Sequence, residues 1–348
     1  MRIRILQLKK TAFAALIVLL LSVVGMKNTF AQDQTAVLQH EGVITTYYGG
    51  NAFVEAYQAA ENGDVITLSA GSFNTCQISK FITIHGAGGR EDEMVDDRTR
   101  TVFIYSVSID CEGSETEHLI VEGVFCPTVK FVNMKYAEFY RCAFLSIEKY
   151  LNSNYTSYYM SNSKFINCRI GSMAKSGSKN VYLFNSIVQN VTNIDGTYST
   201  DKNIIAYNSF IKYGEENPKC SDFYNCVVVG NEGHAPESTC TIYNSVMVKN
   251  GYEGSLLENA YDMGCLEVDE LSQVFVDYTG DILNEMLILQ DGITSSIQGN
   301  DGTEVGIYGG MYPWTDRPVY MIMRHCTVGS RTTDDGHLSV DIEVVTEQ

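Results

Sequence analysis

Phe165-Ile166-Asn167-Cys168-Arg169-Ile170, Leu183-Phe184-Asn185-Ser186-Ile187-Val188, Ala206-Tyr207-Asn208-Ser209-Phe210-Ile211, Phe223-Tyr224-Asn225-Cys226-Val227-Val228 and Ile242-Tyr243-Asn244-Ser245-Val246-Met247 are copies of one phrase. It reads apolar or aromatic residues, then Asn, then Cys or Ser, then mostly apolar residues. An earlier copy, Phe139-Tyr140-Arg141-Cys142-Ala143-Phe144, carries Arg in place of Asn. The anchors at 141, 167, 185, 208, 225 and 244 are 26, 18, 23, 17 and 19 residues apart. A phrase returning about every 20 residues marks one supersecondary unit stacked on itself.

The unit is short, strand-rich and bounded by Asn or Gly, which predicts a parallel β-helix. One rung cannot bury its apolar face alone, but stacked rungs share a continuous core. Asn suits the corner because it tolerates the left-handed backbone conformation. Amides stacked one rung apart would also donate and accept along the column, so Asn167, Asn185, Asn208, Asn225 and Asn244 are expected to form a structural ladder. A second Asn at 190, 231 and 250 suits the next corner. The competing architecture is an antiparallel sandwich, which regular strand spacing also allows. Recurrence in the same phase favours the helix.

Outside the repeats the chain supplies ends. Residues 1–31 read as an export leader: Arg2, Arg4, Lys9 and Lys10 precede the apolar run Ala12–Val24, and Thr29-Phe30-Ala31 offers a cleavage site. The apolar run is too short to span a bilayer comfortably, and no transmembrane segment is expected after cleavage. Residues 32–302 form the predicted β-helix with its N-terminal cap. The cap is a helix over 51–60, started by Asn51, with Phe53, Val54 and Tyr57 on one face. Strands then follow at Val65–Leu68, Phe81–Ile84 and Val102–Tyr105. Residues 303–348 are read as a C-terminal β-hairpin packed on the solenoid, with strands at Tyr320–Met323 and Leu338–Ile342.

Charge narrows the partners. The full chain has net charge −18, and without the leader's five basic residues it holds 19 basic against 42 acidic groups, −23. Nucleic acid is excluded, because its phosphates need Lys and Arg to displace counterions. Cys142, Cys168 and Cys226 occupy the position that Ser186, Ser209 and Ser245 occupy elsewhere, which asks for a small interior side chain rather than a disulfide. Pairing among the remaining cysteines stays open.

The chain resembles the pectin-lyase-like right-handed parallel β-helix proteins exported by diderm bacteria. The resemblance rests on Gly63-Asp64-Val65-Ile66-Thr67-Leu68-Ser69-Ala70-Gly71-Ser72-Phe73 with Ile82-Thr83-Ile84-His85-Gly86-Ala87-Gly88, and on the closing Asp301-Gly302-Thr303-Glu304-Val305-Gly306-Ile307-Tyr308-Gly309-Gly310. With the Asn-Cys/Ser coils it covers roughly residues 45–310. It implies the fold, not an activity, because that superfamily holds lyases, hydrolases, adhesins and inert passengers.

Catalytic signals are sparse. In 160–248 the acids Asp195, Asp201, Glu215, Glu216, Asp222, Glu232 and Glu237 fall in apparent turns, none one rung from another in phase. This weighs against a hydrolase that needs clustered carboxylates. The acidic runs at 91–97 and 110–117 would hold Ca²⁺ if two loops met, yet they also read as solvated loop acids, so no cofactor is expected. Lys130, Lys135, Arg141, Lys164 and Arg169 fall at positions to project from adjacent rungs. His85 and His118 fall near strands and read as structural. Tyr155, Tyr158 and Tyr159, within the longest interruption between anchors, pair aromatic rings with neighbouring amides, a combination suited to sugar rings. Tyr155, Tyr158, Tyr159, Arg141 and Arg169 are therefore the candidate ligand contacts. The expectation is an exported protein of the periplasm, cell surface or exterior that binds glycans or is surface-associated without catalysis. The alternatives are a polysaccharide lyase or glycoside hydrolase, and a structural or adhesive surface protein.

Overall fold

The computed structural model describes residues 34–89, 100–150, 159–174, 177–192, 202–214, 219–230, 235, 236, 238–258, 260–284, 286–314, 321–332 and 338–346. The chain is a right-handed parallel β-helix with an N-terminal capping helix and a C-terminal antiparallel hairpin. Two long sheets carry it. Sheet A has 12 strands; the hairpin Thr35–His40/Val43–Tyr48 opens it, and the other ten strands run parallel and follow one another in chain order. Sheet B has 13 strands; most follow an A strand around a sharp corner, while Val107–Glu112, Tyr159–Ser161 and Ser178–Lys179 each follow another B strand.

The corner is where the repeated Asn sits. Ile166 pairs with Phe184, Phe184 with Tyr207, Tyr207 with Tyr224 and Tyr224 with Tyr243, so the residues that follow them lie in one column. Asn167, Asn185, Asn208, Asn225 and Asn244 all adopt φ between 44° and 56°, and Arg141 in the same column has φ 51°. Gly123 and Gly264, at φ 64° and 66°, continue the column at its two ends. Only Gly, or Asn through its short amide, enters this region at low cost. Each corner N–H donates to a carbonyl of the next rung, as Asn185 does to Tyr207 at 3.0 Å.

The ladder itself differs from expectation. Among the described residues no amide–amide hydrogen bond joins neighbours in this column. The side chains of Asn185, Asn208, Asn225 and Asn244 bond to the segment that returns across them, and Asn167 Oδ1 is buried with no hydrogen-bond partner among the described residues. An amide pair does occur at another corner, where Asn180 donates to Asn162 at 3.2 Å. Of the second Asn set, Asn250 is left-handed at φ 49°, Asn190 lies inside the strand Ile187–Thr192, and Asn231 falls outside the described residues.

Strand alternation sorts the side chains. In sheet A the residue between two half-exposed neighbours points inward, giving the buried row Val121, Phe139, Phe165, Leu183, Phe223 and Ile242. Phe139 and Phe165 stack at 4.9 Å, with Phe144 edge-on to both. The Cys/Ser column lies inside the corner and is buried throughout. The Ser186, Ser209 and Ser245 hydroxyls accept from backbone N–H groups one rung away at 3.0–3.1 Å. Cys76, Cys111, Cys126, Cys142, Cys168, Cys226 and Cys265 are free thiols. Burial pushes the thiols of Cys111, Cys126 and Cys226 up to about 12, which disfavours the reactive thiolate. We therefore expect native protein at pH 8 to leave Cys126 and Cys226 unmodified by a thiol reagent and to expose them on denaturation. Rapid labelling of Cys226 in the folded protein would contradict this burial.

The N-terminal end is closed by the helix Ala52–Ala59, which buries Ala52, Phe53, Ala56 and Tyr57. Phe53 packs on Phe103 at 4.8 Å. Asn51 stands at the helix start without capping it; its amide oxygen accepts from Asn74 instead, at 2.6 Å.

The last parallel strand is Leu266–Val268. Beyond it the chain turns back and lies as a strap over sheet B. In sheet B Val188, Ile211, Val228 and Met247 face the core, while Ile187, Phe210, Val227 and Val246 face outward. That outward row is buried by Leu271, Val274, Phe275, Leu289, Ile293, Val305 and Ile307 of the strap. Parallel strands covered on both faces read as continuous apolar runs, such as Val227-Val228-Val229. The strap also takes the corner amides: Asn185 Nδ2 donates to the carbonyls of Ile307 (2.8 Å) and Gly309 (2.6 Å), and Asn208 Nδ2 to that of Glu304 (3.1 Å). Asn225 exchanges two bonds with Asn300, at 3.0 and 3.1 Å, and Asn244 Nδ2 donates to the Gln298 carbonyl at 3.2 Å. The column is a docking strip for residues 298–309, which run along it in the reverse direction.

Candidate functional site

With sheet B covered by the strap, the outer face of sheet A is the long ruled surface left open among the described residues, except near its middle, where Ile166 is buried and Tyr312 packs edge-on to Phe184 with ring centroids 5.7 Å apart. Pairing defines a row along it: Thr67, His85, Glu122, Tyr140, Ile166, Phe184, Tyr207, Tyr224 and Tyr243. A neighbouring row holds Ile120, Glu138, Lys164, Tyr182, Ile205, Asp222 and Thr241.

Four of the nine residues in the first row form an aromatic stack. Phe184–Tyr207, Tyr207–Tyr224 and Tyr224–Tyr243 lie 5.2, 4.9 and 5.1 Å apart, within 10° of parallel. The spacing is that of adjacent strands, about 4.8 Å. Because the ring faces cover one another, what reaches solvent is ring edges and phenol hydroxyls. Burial, followed by the neighbouring phenols and Asp222, raises the Tyr207 and Tyr224 pKa values, so both hydroxyls keep their protons. Asp222 is itself held by Lys202, whose ammonium also donates to the Thr239 carbonyl at 2.9 Å.

At the other end the two rows together carry an ionic cluster. His85 Nδ1 lies 2.8 Å from Glu122 Oε2, and the Arg141 guanidinium donates to Glu122 Oε1. One rung on, Glu138 accepts from Lys164 Nζ at 2.7 Å and from the Tyr140 hydroxyl, with His118 Nε2 at 3.7 Å. Burial alone would raise Glu138, but the Lys164 and Tyr140 hydrogen bonds outweigh it and leave the carboxyl below its ordinary range. Burial, then the Arg141 charge, lowers His85, which is thus neutral near pH 7. With Nδ1–H donated to Glu122, Nε2 carries the lone pair, and it has no partner among the described residues.

The sequence-chosen contacts are not brought together. Tyr155 and Tyr158 lie outside the described residues. Tyr159 pairs with Asn133 in sheet B, where burial and a hydrogen bond to Glu112 push its phenol up to about 12. Arg141 belongs to the sheet A cluster, half-exposed at its guanidinium end. Arg169 lies in the covered row of sheet B, its guanidinium carbon 5.1 Å from the centroid of the Trp314 ring. Of the acids in the first loops, Asp110 accepts from Asn133 and Gln77, and residues 91–97 lie outside the described residues. Among the described residues no group of three or more His, Cys, Asp or Glu is placed to hold a metal ion, and no helix is long and apolar enough to cross a membrane.

Sequence reasoning missed Glu122 and Glu138 because it looked for phased acids only in residues 160–248. The signal was present: Glu122 and Tyr140 each end the apolar run before a corner, and His85 does so one rung earlier. No family model, curated protein or solved structure matches this chain.

Proposed function

We propose that this chain is an exported glycan-binding protein whose site is the outer face of sheet A, and that it holds its ligand without cleaving it. The observation that carries the reading is the line of tyrosine hydroxyls at 207, 224 and 243, repeated at strand spacing on the open long face. Sugars are gripped by hydrogen bonds from fixed hydroxyls and charged groups together with apolar ring edges. A rigid row removes the ordering cost that a loop site would carry. Binding without cleavage fits the carboxylates: Glu122 and Glu138 are both paired to cations, whereas glycoside hydrolysis asks for one carboxyl that keeps its proton. The leader at 1–31 supports export to the periplasm or cell surface.

The test is a triple Tyr207→Phe, Tyr224→Phe, Tyr243→Phe variant on a glycan array, with hits titrated by calorimetry. It keeps the ring stack and removes only hydroxyls, so the fold stays intact while affinity falls at least tenfold, a loss of about 1.4 kcal/mol. Unchanged affinity for every ligand bound by the native protein would remove this face as the site.

One observation favours a second reading, cleavage by elimination. His85, oriented by Glu122 and flanked by Arg141, has the form of a neutral base beside a charge neutraliser. An assay for unsaturated products separates the two readings directly.

A further inference from the structure

We propose that two copies of this chain pair through the strand Val43–Tyr48, forming a two-fold dimer centred on Thr46. This strand is the free edge of sheet A; among the described residues its outer side pairs with nothing. Its sequence, Val43-Ile44-Thr45-Thr46-Tyr47-Tyr48, has no charge, no proline and no bulge, although the chain carries 42 acidic residues. Exposed edges ordinarily carry one of those devices to block pairing. Val43, Ile44 and Tyr48 are 63%, 68% and 66% exposed.

The hairpin geometry fixes which backbone groups are free. Glu41 and Gly42, at φ 47° and 82°, form the two-residue loop between His40 and Val43, the type that closes on a hydrogen-bonded pair. Bonding then alternates, so positions 43, 45 and 47 bond back to 40, 38 and 36. Gly49, two residues further, keeps this phase by donating to Gln34 at 2.7 Å. Ile44, Thr46 and Tyr48 are left with N–H and C=O groups aimed away from the sheet.

Those groups are self-complementary. A two-fold axis normal to the sheet at Thr46 sets Thr46 opposite Thr46 of the partner subunit and Ile44 opposite the partner's Tyr48. Every outward donor and acceptor is then used. The facing side chains are Thr–Thr and β-branched–aromatic, the favoured cross-strand pairs. Thr46 lies in line with Val37, Thr67, His85, Glu122 and Tyr140 on the outer face. The dimer therefore joins the two sheets into one and sets both tyrosine rows on the same side of it. The pairing does not depend on what those rows bind.

Sedimentation velocity on the leaderless chain tests it. The native protein should run at twice the chain mass. Thr46→Lys, which puts two ammonium groups face to face at an already exposed position, should run as a monomer with unchanged melting. Thr46→Cys should oxidise to a covalent dimer. Ile44→Cys should not, because the two copies of position 44 lie about 14 Å apart along paired strands. A monomeric native protein at several hundred micromolar, a Thr46→Lys variant that still dimerises, or a native dimer in which Thr46→Cys fails to cross-link would each overturn the proposal. Continued growth beyond two copies would also overturn it, since that indicates head-to-tail pairing with the Tyr261–Met263 edge at the other end of the sheet.

Discussion

Replacing Asn185 with Ala is expected to destabilise the protein by about 2–4 kcal/mol, more than a single surface amide normally contributes. Two losses add. Alanine at φ 47° meets the left-handed penalty that Asn softens, and the carbonyls of Ile307 and Gly309 lose a buried donor. Asn185→Gly separates the terms: glycine accepts the backbone conformation at little cost, so it should recover a substantial part of the deficit while leaving the strap unbonded. Denaturant titration of the three proteins decides the matter. Equal stability of Ala and Gly variants would mean that the corner conformation carries none of the effect. Asn244→Ala serves as the comparison, because among the described residues its amide makes one bond, 3.2 Å long and exposed, to the strap.

Phe275→Ala should cost about 3–5 kcal/mol, the range for emptying an aromatic site in a packed core. Phe275 is 3% exposed, yet it belongs to no coil: it packs from the strap onto Phe210 with ring centroids 5.8 Å apart. Rungs in a solenoid contact mainly their neighbours, so a defect stays local. The loss should appear first as faster amide exchange in residues 271–309 and in Phe210–Tyr213, and as dye binding to the uncovered row Ile187, Phe210, Val227 and Val246. Protection that falls evenly along all coils would show instead that strap and solenoid unfold as one unit. Protection that stays unchanged would show that the strap is not held by this contact.

Much of the architecture was legible because it follows from local chemistry. A residue able to enter the left-handed region recurs, a small residue follows it, and inward apolar positions alternate before it. Tyr224-Asn225-Cys226 carries all three in sequence. The strap had a trace that went unread: Ser221-Asp222-Phe223-Tyr224 alternates between buried and half-exposed, whereas Val227-Val228-Val229 is buried throughout. An uninterrupted apolar run just after each corner announces that the second sheet is covered on both sides. It does not announce what covers it. The stretch from 301 to 310 reads as the end of a β-helix, and its role on the Asn column is invisible without the fold.

The candidate site was less legible. His85, Glu122 and Arg141 are separated by 37 and 19 residues and come within contact because three successive rungs stack in register although the two turns between them differ in length. Arg169, chosen because it stood one rung from Arg141, faces the opposite sheet and is covered by Trp314. A one-residue change of phase across a corner exchanges sheet A for sheet B, so nearness in the repeat does not mean nearness on a face.

By itself the sequence determined the stacked coil, the left-handed corners and the small buried column behind them, because each depends on one residue's backbone preference and size, repeated. Tertiary structure alone decided where the corner amides bond and which long face stays open. Both depend on a segment 54 to 124 residues away returning across the coils, and chain return is set by the summed packing of an apolar row rather than by any residue's own propensity.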